Sequence, residues 1–440
     1  MVSKEDVLQI VKEKNVGFIR IWFTDVLGFL KSFAITPAEL ESAFEEGLGF
    51  DGSSIRGFTG IEESDVVGWP DASTFQILPW RPKEQSVARM FADITNPDGT
   101  PLEADPRYVL KKMLKKAADK GFTFYIGPEL EYFYFQNDES TDFIEKVGYF
   151  DQSSKAFDIE LRRETVLALE GMGIQIEKSH HEVSPSQHEI DMHYADGLTM
   201  ADWTITYKHV VKAIAQRFNV SATFMPKPVY GINGSGMHCH QSLFTGNKNA
   251  FWDPNDEYHL SKVGRSYIAG LLKYAPEFAI ITNTWDNSYK RLVPGYEAPV
   301  YLAWARRNRS ALVRLPMYKP TKEKATRCEL RCPDPSSNPY LAFTVMLGAG
   351  LKGIEEKLEL PPPVEKNIFH LGCDERNGLN IKEMPGSLLE AINIAEKSSF
   401  LKDAIGESVF NYYITNKKCE WDRFRTAVTD WEIKEYLHML

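Results

Sequence analysis

The spacing of apolar and polar positions changes period several times along the chain, and each change marks an element. Val7, Ile10 and Val11 recur at helical intervals, which predicts a short opening helix with one apolar face. Two runs of strand-forming residues in VGFIRIWFTDVLGFLKSFAIT flank Asp25 to Gly28 and predict a β-hairpin. FDGSSIRGF, from Phe50 to Phe58, interrupts the pattern with small residues and reads as a structured loop. Strand-like alternation returns in STFQILPW and SVARMFADI. The turn-rich stretch TNPDGTPLEADPR then separates a smaller unit, residues 1–103, from a larger one, residues 104–440.

In the larger unit, Arg107 to Lys120 has helical spacing and is closed by Gly121. FTFYIGPELEYFYF is a strong strand candidate, and DIELRRETVLALEGMG a helix stopped by glycine. HHEVSPSQHEIDMHY carries too many polar residues for a plain core strand. WTITYKHVVKAIAQRF and RSYIAGLLKYAPEFAIIT are predicted helical, and VSATFMPKP extended. Beyond Pro361-Pro362-Pro363, a surface connector, the pattern is helical again. No internal repeat is present.

Composition narrows the class. The chain has 440 residues with 43% apolar and 25% charged side chains, the balance of a soluble globular protein large enough for two or three domains. A net charge of −10 disfavours nonspecific nucleic-acid binding. No apolar run reaches the roughly 18 residues of a membrane span, and the charged N-terminus does not resemble a signal peptide. Cys239, Cys328, Cys332, Cys373 and Cys419 form neither a zinc-knuckle spacing nor a disulfide framework, which points to the reducing cytoplasm.

The candidate chemistry lies in acids where a core is expected. Glu129 and Glu131 stand two apart in the most aromatic strand, so both face one side of a sheet. Two like charges there need a compensating cation. Glu182 and Glu189 flank a proline turn, Glu329 sits between Arg327 and Arg331, and His238 lies in NGSGMHCH. Carboxylates with one imidazole suit Mg2+ or Mn2+ and not a structural zinc site. Arg291, Arg306, Arg307, Arg309, Arg314, Arg327 and Arg331 crowd the same region, and SALVRLP and RCELRCP alternate arginine with apolar residues like strands feeding a cleft. Metals with arginines predict metal-dependent phosphoryl transfer, with metal-dependent hydrolysis as the rival. No Walker or GxGxxG motif is present.

Seven stretches carry a closer resemblance: FDGSSIRG (50–57), GPELEYF (127–133), HHEVSPSQHEI (180–190), NGSGMHCHQSL (233–243), KRLVPGYEAP (290–299), RNRSALVR (307–314) and RCELRCPDPSSNPYLAF (327–343). In this order they resemble the type I glutamine synthetase family of bacteria and archaea over nearly the whole chain. The lack of a tyrosine in ELPPPVEKNIFHLGCDERNG makes the chain look like the feedback-controlled alpha subtype. The resemblance implies an α+β fold: an N-terminal β-grasp domain, then a catalytic domain with a curved antiparallel sheet and flanking helices. It implies a dodecamer of two stacked hexamers with active sites between subunits.

The resemblance also implies roles. Glu131, Glu182 and Glu189 would hold the metal nearer glutamate, and Glu129, His238 and Glu329 the metal nearer ATP, as Mg2+ or Mn2+. Arg291, Arg331, Asn233 and Gly234 would bind L-glutamate. Arg309 would face the transferred phosphoryl group, with Arg314, Arg327 and His240 on the ATP side. Tyr149 would line the ammonium pocket, Asp51 would take a proton from ammonium, and Glu297 would shield the intermediate. Arg56 matches an arginine of glutamine feedback, although GFTGIEESD lacks the companion basic residue near Gly60. The terminal WDRFRTAVTDWEIKEYLHML resembles a ring-locking tail that in some relatives meets a nitrogen-regulatory protein. His180, His181, His188 and His193 read mainly as packing neighbours. Within this resemblance the alternatives are a γ-glutamyl-polyamine or other amine ligase and a catalytically silent nitrogen-sensing scaffold.

Overall fold

A computed structural model describes residues 2–151, 157–296, 298–316 and 322–440. The opening helix α1, Lys4–Glu13, starts at Ser3, whose hydroxyl accepts from the Asp6 amide while the Asp6 carboxylate accepts from the Ser3 amide. It buries Val7 and Val11 as the spacing predicts. The hairpin comprises β1, Val16–Thr24, and β2, Leu30–Ile35, with Gly28 turning the chain at φ 87°. After α2, Leu40–Glu46, follow β3, Leu48–Asp51; β4, Asp65–Pro70; β5, Gln76–Ile77; and β6, Ser86–Thr95. Only two residues of STFQILPW form a strand, since Pro79 has no amide to continue the ladder.

The first sheet is ordered β2-β1-β6-β4-β3, with β5 on β6. β1 and β6 are parallel, and the other pairs antiparallel. Ile19, Ile21, Met90 and Ile94 on its apolar face share a core with Val7 of α1 and Leu40 and Phe44 of α2. This is the β-grasp arrangement.

The second unit begins with α3, Pro106–Asp119. Asp105 caps it through the Arg107 amide, and Pro106 takes the first position, where its missing N–H costs nothing. There follow β7, Thr123–Phe135; α4, Phe157–Glu170; β8, Ile176–His181; β9, Gln187–Met192; and β10, Ala195–Asp196. Next come α5, Gly197–Arg217; β11, Ser221–Thr223; β12, Met237–Thr245; β13, Lys248–Asn249; α6, Lys262–Thr282; and α7, Asp286–Arg291. The sheet is completed by β14, Tyr301–Ala305; β15, Ala311–Arg314; and β16, Cys328–Leu330, before α8, Pro339–Glu355. The helical end comprises α9, Cys373–Gly378; α10, Leu388–Ala395; α11, Ser399–Ile405; α12, Glu407–Arg425; and α13, Asp430–Tyr436.

The second sheet is ordered β14-β15-β16-β12-β7-β9-β8, with β10 and β11 on β7 and β13 on β12. It departs from the expected antiparallel sheet at one place: β14 and β15 are parallel. The polar stretch around His188 differs from expectation more sharply. All six residues of β9 are buried, because its polar side chains find partners on other elements: Gln187 with Glu131 of β7, His188 with Arg162 of α4 and Asp191 with Lys178 of β8.

The two units are pinned together by Arg107. Its guanidinium reaches Asp71 at 2.7 Å and Asp93 at 2.5 Å from the first unit, and Asp202 of α5 at 3.0 Å. Asn338, capping α8, donates to the Val26 carbonyl of the hairpin turn at 3.1 Å. Helices α6 and α8 cross at bare backbone, where Gly270 and Gly353 meet. Among the described residues no helix is long and apolar enough to cross a membrane.

Candidate active site

Strand β7 divides its residues between two jobs. Leu130 and Tyr132 are fully buried in the core. Glu129 and Glu131 alternate with them and therefore face the other side. Register then decides what stands beside each acid. Glu129 pairs with His238 of β12 on one flank and Asp191 of β9 on the other, and Asp191 pairs in turn with Lys178 of β8. Glu131 pairs with Glu189, which pairs with His180. Glu329 lies between His240 and Arg314. Directly opposed residues project to the same face, so these rows converge without any loop having to bring them together.

The result is a polar cavity of ≈ 270 Å³. Its floor is Glu129, Glu131, Glu182, Glu189, Glu329 and His238; its wall is Arg291, Arg309, Arg314 and Arg331; Asn233, Gly234 and Tyr149 also line it. His240 and Arg327 stand just outside: His240 Nε2 is 3.0 Å from Glu129, and Arg327 Nε donates to His240 Nδ1 at 3.2 Å.

Charge is unevenly balanced across this floor. At one end Arg331 donates to Glu329 at 2.5 Å and Arg314 donates to its other oxygen. Burial opposes the charge there, but the guanidinium groups of Arg331 and Arg314 win and hold Glu329 at about 2. Burial, with the Arg331 charge, pushes His238 down to about 4, so its ring is neutral and has a lone pair to offer. Its Nδ1 is 3.7 Å from Glu129 and 3.8 Å from Glu329. At the other end compensation fails. Burial and the Glu182 charge raise Glu131 to about 8, and burial and Asp191 raise Glu189 well above its ordinary value. Glu131 is nevertheless firmly placed, accepting from Gln187 Nε2 and the Gly236 amide, both at 2.9 Å.

Three tight groups of donor atoms emerge, Glu129 with His238 and Glu329, His180 with Glu182 and Glu189, and Glu129 with Glu189 and Asp191, each within 4.8 Å; Glu131, expected beside Glu182 and Glu189, is in none of them, and His180, read as a packing neighbour, stands in its place. Such sets, rich in carboxylate oxygens with at most one imidazole, fit a hard divalent cation. Asp191 Oδ2 pairs with Lys178 Nζ at 2.8 Å, and the His180 Nδ1 has no hydrogen-bond partner.

NGSGMHCH is built for closeness. A Cβ at Gly234 would meet the Pro226 carbonyl at 2.2 Å, and one at Gly236 would meet Arg291 Nη2 at 2.6 Å and His238 Nε2 at 3.0 Å. Arg291 is itself held by the Cys332 carbonyl at 2.7 Å and the Arg331 carbonyl at 3.2 Å. Cys239, Cys328 and Cys332 are buried between ligands and core, as apolar neighbours.

Some anticipated residues lie elsewhere. Asp51, at the end of β3, is exposed, accepts from Ser53 and does not line the cavity of its own chain. Arg56 is exposed over the Phe29 ring, in a hollow shared with Tyr412 of α12. Arg306 turns to Glu365 and the Tyr258 ring. Glu297 falls outside the described residues. Sequence reasoning missed Gln187, Lys178 and Asp191. Two were within reach: Gln187 and Asp191 flank Glu189 at period two and must share its face.

A floor of carboxylates shaped for divalent cations, walled by arginines and carried on a strand-rich fold with a β-grasp unit, defines a phosphoryl-transfer enzyme acting on anionic substrates. The family profiles described as glutamine synthetase, beta-Grasp domain, and glutamine synthetase, catalytic domain, match residues 15–97 and 103–436. The chain belongs to the glutamine synthetase family. It is 52% identical to the glutamine synthetase of Methanosarcina mazei over 100% of this chain and 98% of that one. To that of Mycolicibacterium smegmatis it is 50% identical over 99% of each. Among solved structures, a GmaS/ADP complex superposes with a TM-score of 0.90 at 29% identity over 100% of both chains. A Plasmodium falciparum glutamine synthetase gives 0.89 at 27% over 99% of both.

Proposed function

We propose that this chain joins ammonia to the γ-carboxylate of L-glutamate at the expense of ATP, through γ-glutamyl phosphate, releasing L-glutamine, ADP and phosphate. The observation that carries the proposal is the single cavity in which six candidate metal ligands face four arginines. Glu129, His238 and Glu329 would hold one Mg2+ or Mn2+ nearer ATP, and Glu131, Glu182 and Glu189 another nearer glutamate. Such cations, when bound, offset charge on phosphate and carboxylate oxygens that would otherwise repel.

The protein's own groups divide the remaining work. A carboxylate has no good leaving group until it is phosphorylated, so Arg309 stabilises the phosphoryl group in transit, with Arg314, Arg327 and His240 on the nucleotide side. Arg291, Arg331, Asn233 and Gly234 grip glutamate. Ammonium has no free lone pair. Asp51 removes its proton beside Tyr149, and since Asp51 lies off the cavity of its own chain, a neighbouring subunit supplies it. Glu297 closes the site against water. The assembly would be a cytoplasmic dodecamer whose chains each use residues 1–103 to complete the next site. Arg56 would report glutamine, and the exposed tail with Trp431 and Leu437 would lock the rings or meet a nitrogen-regulatory protein.

Phosphate release from the purified assembly tests the reaction directly. Glutamate with ammonium is expected to support it, and glutamate with putrescine or ethanolamine to give little. Preference for an organic amine overturns the assignment in favour of an amine ligase, and inactivity with every amine in favour of a silent scaffold.

The acids also predict a proton-linked metal affinity. Glu131, raised from 4.5 to about 8, is protonated at neutral pH when no cation is bound. Folding therefore favours its protonated form, and that stabilisation, complete below about 4.5, is lost as pH rises through about 8. A divalent cation reverses this, since it requires the carboxylate. Metal-free protein should lose thermal stability between pH 5 and pH 8 while Mn2+ raises it increasingly, and binding should release about one proton per chain from Glu131. Calorimetry in buffers of different ionisation enthalpy measures the release; no release shows Glu131 to be ionised beforehand.

A further inference from the structure

Behind the cavity, Glu145, His181 and His188 bring a carboxylate and two imidazoles within 4.8 Å of one another. The donor set superficially suits zinc. One contact excludes it. Arg162 Nη1 lies 2.8 Å from His188 Nδ1, and a guanidinium can only donate, so Nδ1 is the acceptor and the ring proton sits on Nε2. That Nε2 lies 3.8 Å from Glu145, beyond hydrogen-bond range, and because it carries the proton it has no lone pair for a metal.

The cluster is a joint. Glu145 Oε1 accepts from His181 Nε2 at 2.8 Å and from the Ser186 amide at 2.6 Å. Its Oε2 accepts from the Val147 amide at 2.7 Å. His181 continues the chain of contacts through Nδ1 to the Glu182 carbonyl at 2.6 Å. Ser186 is at the β8–β9 turn with φ 57°, a conformation a serine holds only when fixed from outside. The other side of the joint is the segment 143–151, which has no helix or paired strand of its own beyond one bridge, Phe135 to Phe143. That segment delivers Tyr149 to the cavity, with its ring edge-on to His180 at 5.7 Å.

We infer that Glu145 is a positioning residue for the nucleophile: it fastens the wall that carries Tyr149 to the hairpin that carries Glu182 and Glu189. It touches no substrate. The inference rests on the proposed reading of Tyr149 as part of the ammonium pocket. A carboxylate is needed because three N–H groups converge on it, and only a group with two accepting oxygens serves them all. An amide in its place turns one N–H against a donor, on whichever side it faces.

Steady-state kinetics of the full assembly separate this role from simple support of the fold. Glu145→Gln is expected to raise the KM for ammonium about ten-fold or more, with the KM values for ATP and glutamate within about two-fold of wild type. Glu145→Asp keeps the charge but is one methylene short, and should give a smaller rise in the same constant. A wild-type enzyme that releases no phosphate with ammonium overturns the reading of the reaction itself. Wild-type turnover, with variants whose ammonium KM is unchanged or whose three KM values rise together, overturns the inference alone. Loss of the fold in both variants also overturns it, because the group is then structural.

Discussion

Glu329→Gln is expected to lower glutamine formation by about 10³-fold, the scale seen when a preorganised charged contact is removed from a reaction centre. Glu329 is wholly buried, and both its oxygens are taken by arginine donors, Arg331 at 2.5 Å and Arg314. An amide must point its N–H at one guanidinium or the other. Arg314 and Arg331 then lose the whole of the negative charge that Glu329 gave them, in a place water does not reach. Because Glu329 titrates at about 2, the loss should be equally severe at every working pH. Coupled assays for ADP and glutamine measure it, and near-wild-type rates would show that the carboxylate is dispensable. The same variant tests the shared site. Asp51→Ala is expected to be inactive alone, since ammonium keeps its proton. Co-assembled in equal amounts, the two inactive chains should recover roughly one quarter of wild-type activity, from sites that draw Glu329 and Asp51 from different subunits. No recovery means that both residues serve from one chain.

The second large effect is on the fold. At the crossing of α6 and α8, a Cβ on Gly353 would lie 2.2 Å from the Ser266 carbonyl and 2.7 Å from Gly270 Cα. Both obstacles are backbone, so no rotamer change relieves them. Gly353→Val should abolish soluble assembly, and Gly353→Ala should cost about 2–3 kcal/mol, at the upper end for overpacking a core. Gly378→Ala is the control: nothing lies within 4 Å of its new methyl, and its stability should stay within about 0.5 kcal/mol. Soluble yield and Tm read the series, and a soluble, stable Gly353→Val would show that the helices can part.

Much of this arrangement was legible in the chain before any coordinates. Period two in FTFYIGPELEYFYF set Glu129 and Glu131 on one face, and that face is the cavity floor. The helices with one apolar stripe, such as α1 and α3, were equally readable. Helix α8 was not. It is buried almost all round, so its sequence has no polar side from which to take a period. The strand β12 hid inside NGSGMHCHQSL, where residues chosen for a ligand mask the alternation of a ladder. β9 hid for a related reason: its polar residues are buried in pairs, and pairing across strands leaves no trace in the order of one. Asp51 gave least of all. An acid in a glycine-rich loop looks like a turn former, and only its likeness to a known motif singled it out.

The division of labour along β7 carries a consequence for how errors can arise in this protein. Slipping the strand by one position would aim Leu130 and Tyr132 at the charged cavity and drive two ionisable acids into the hydrophobic interior. Such a chain could not persist as a well-formed but idle impostor among working subunits. Mispairing of this strand therefore ends in failure to mature, and any chain stable enough to be incorporated already presents its acids correctly.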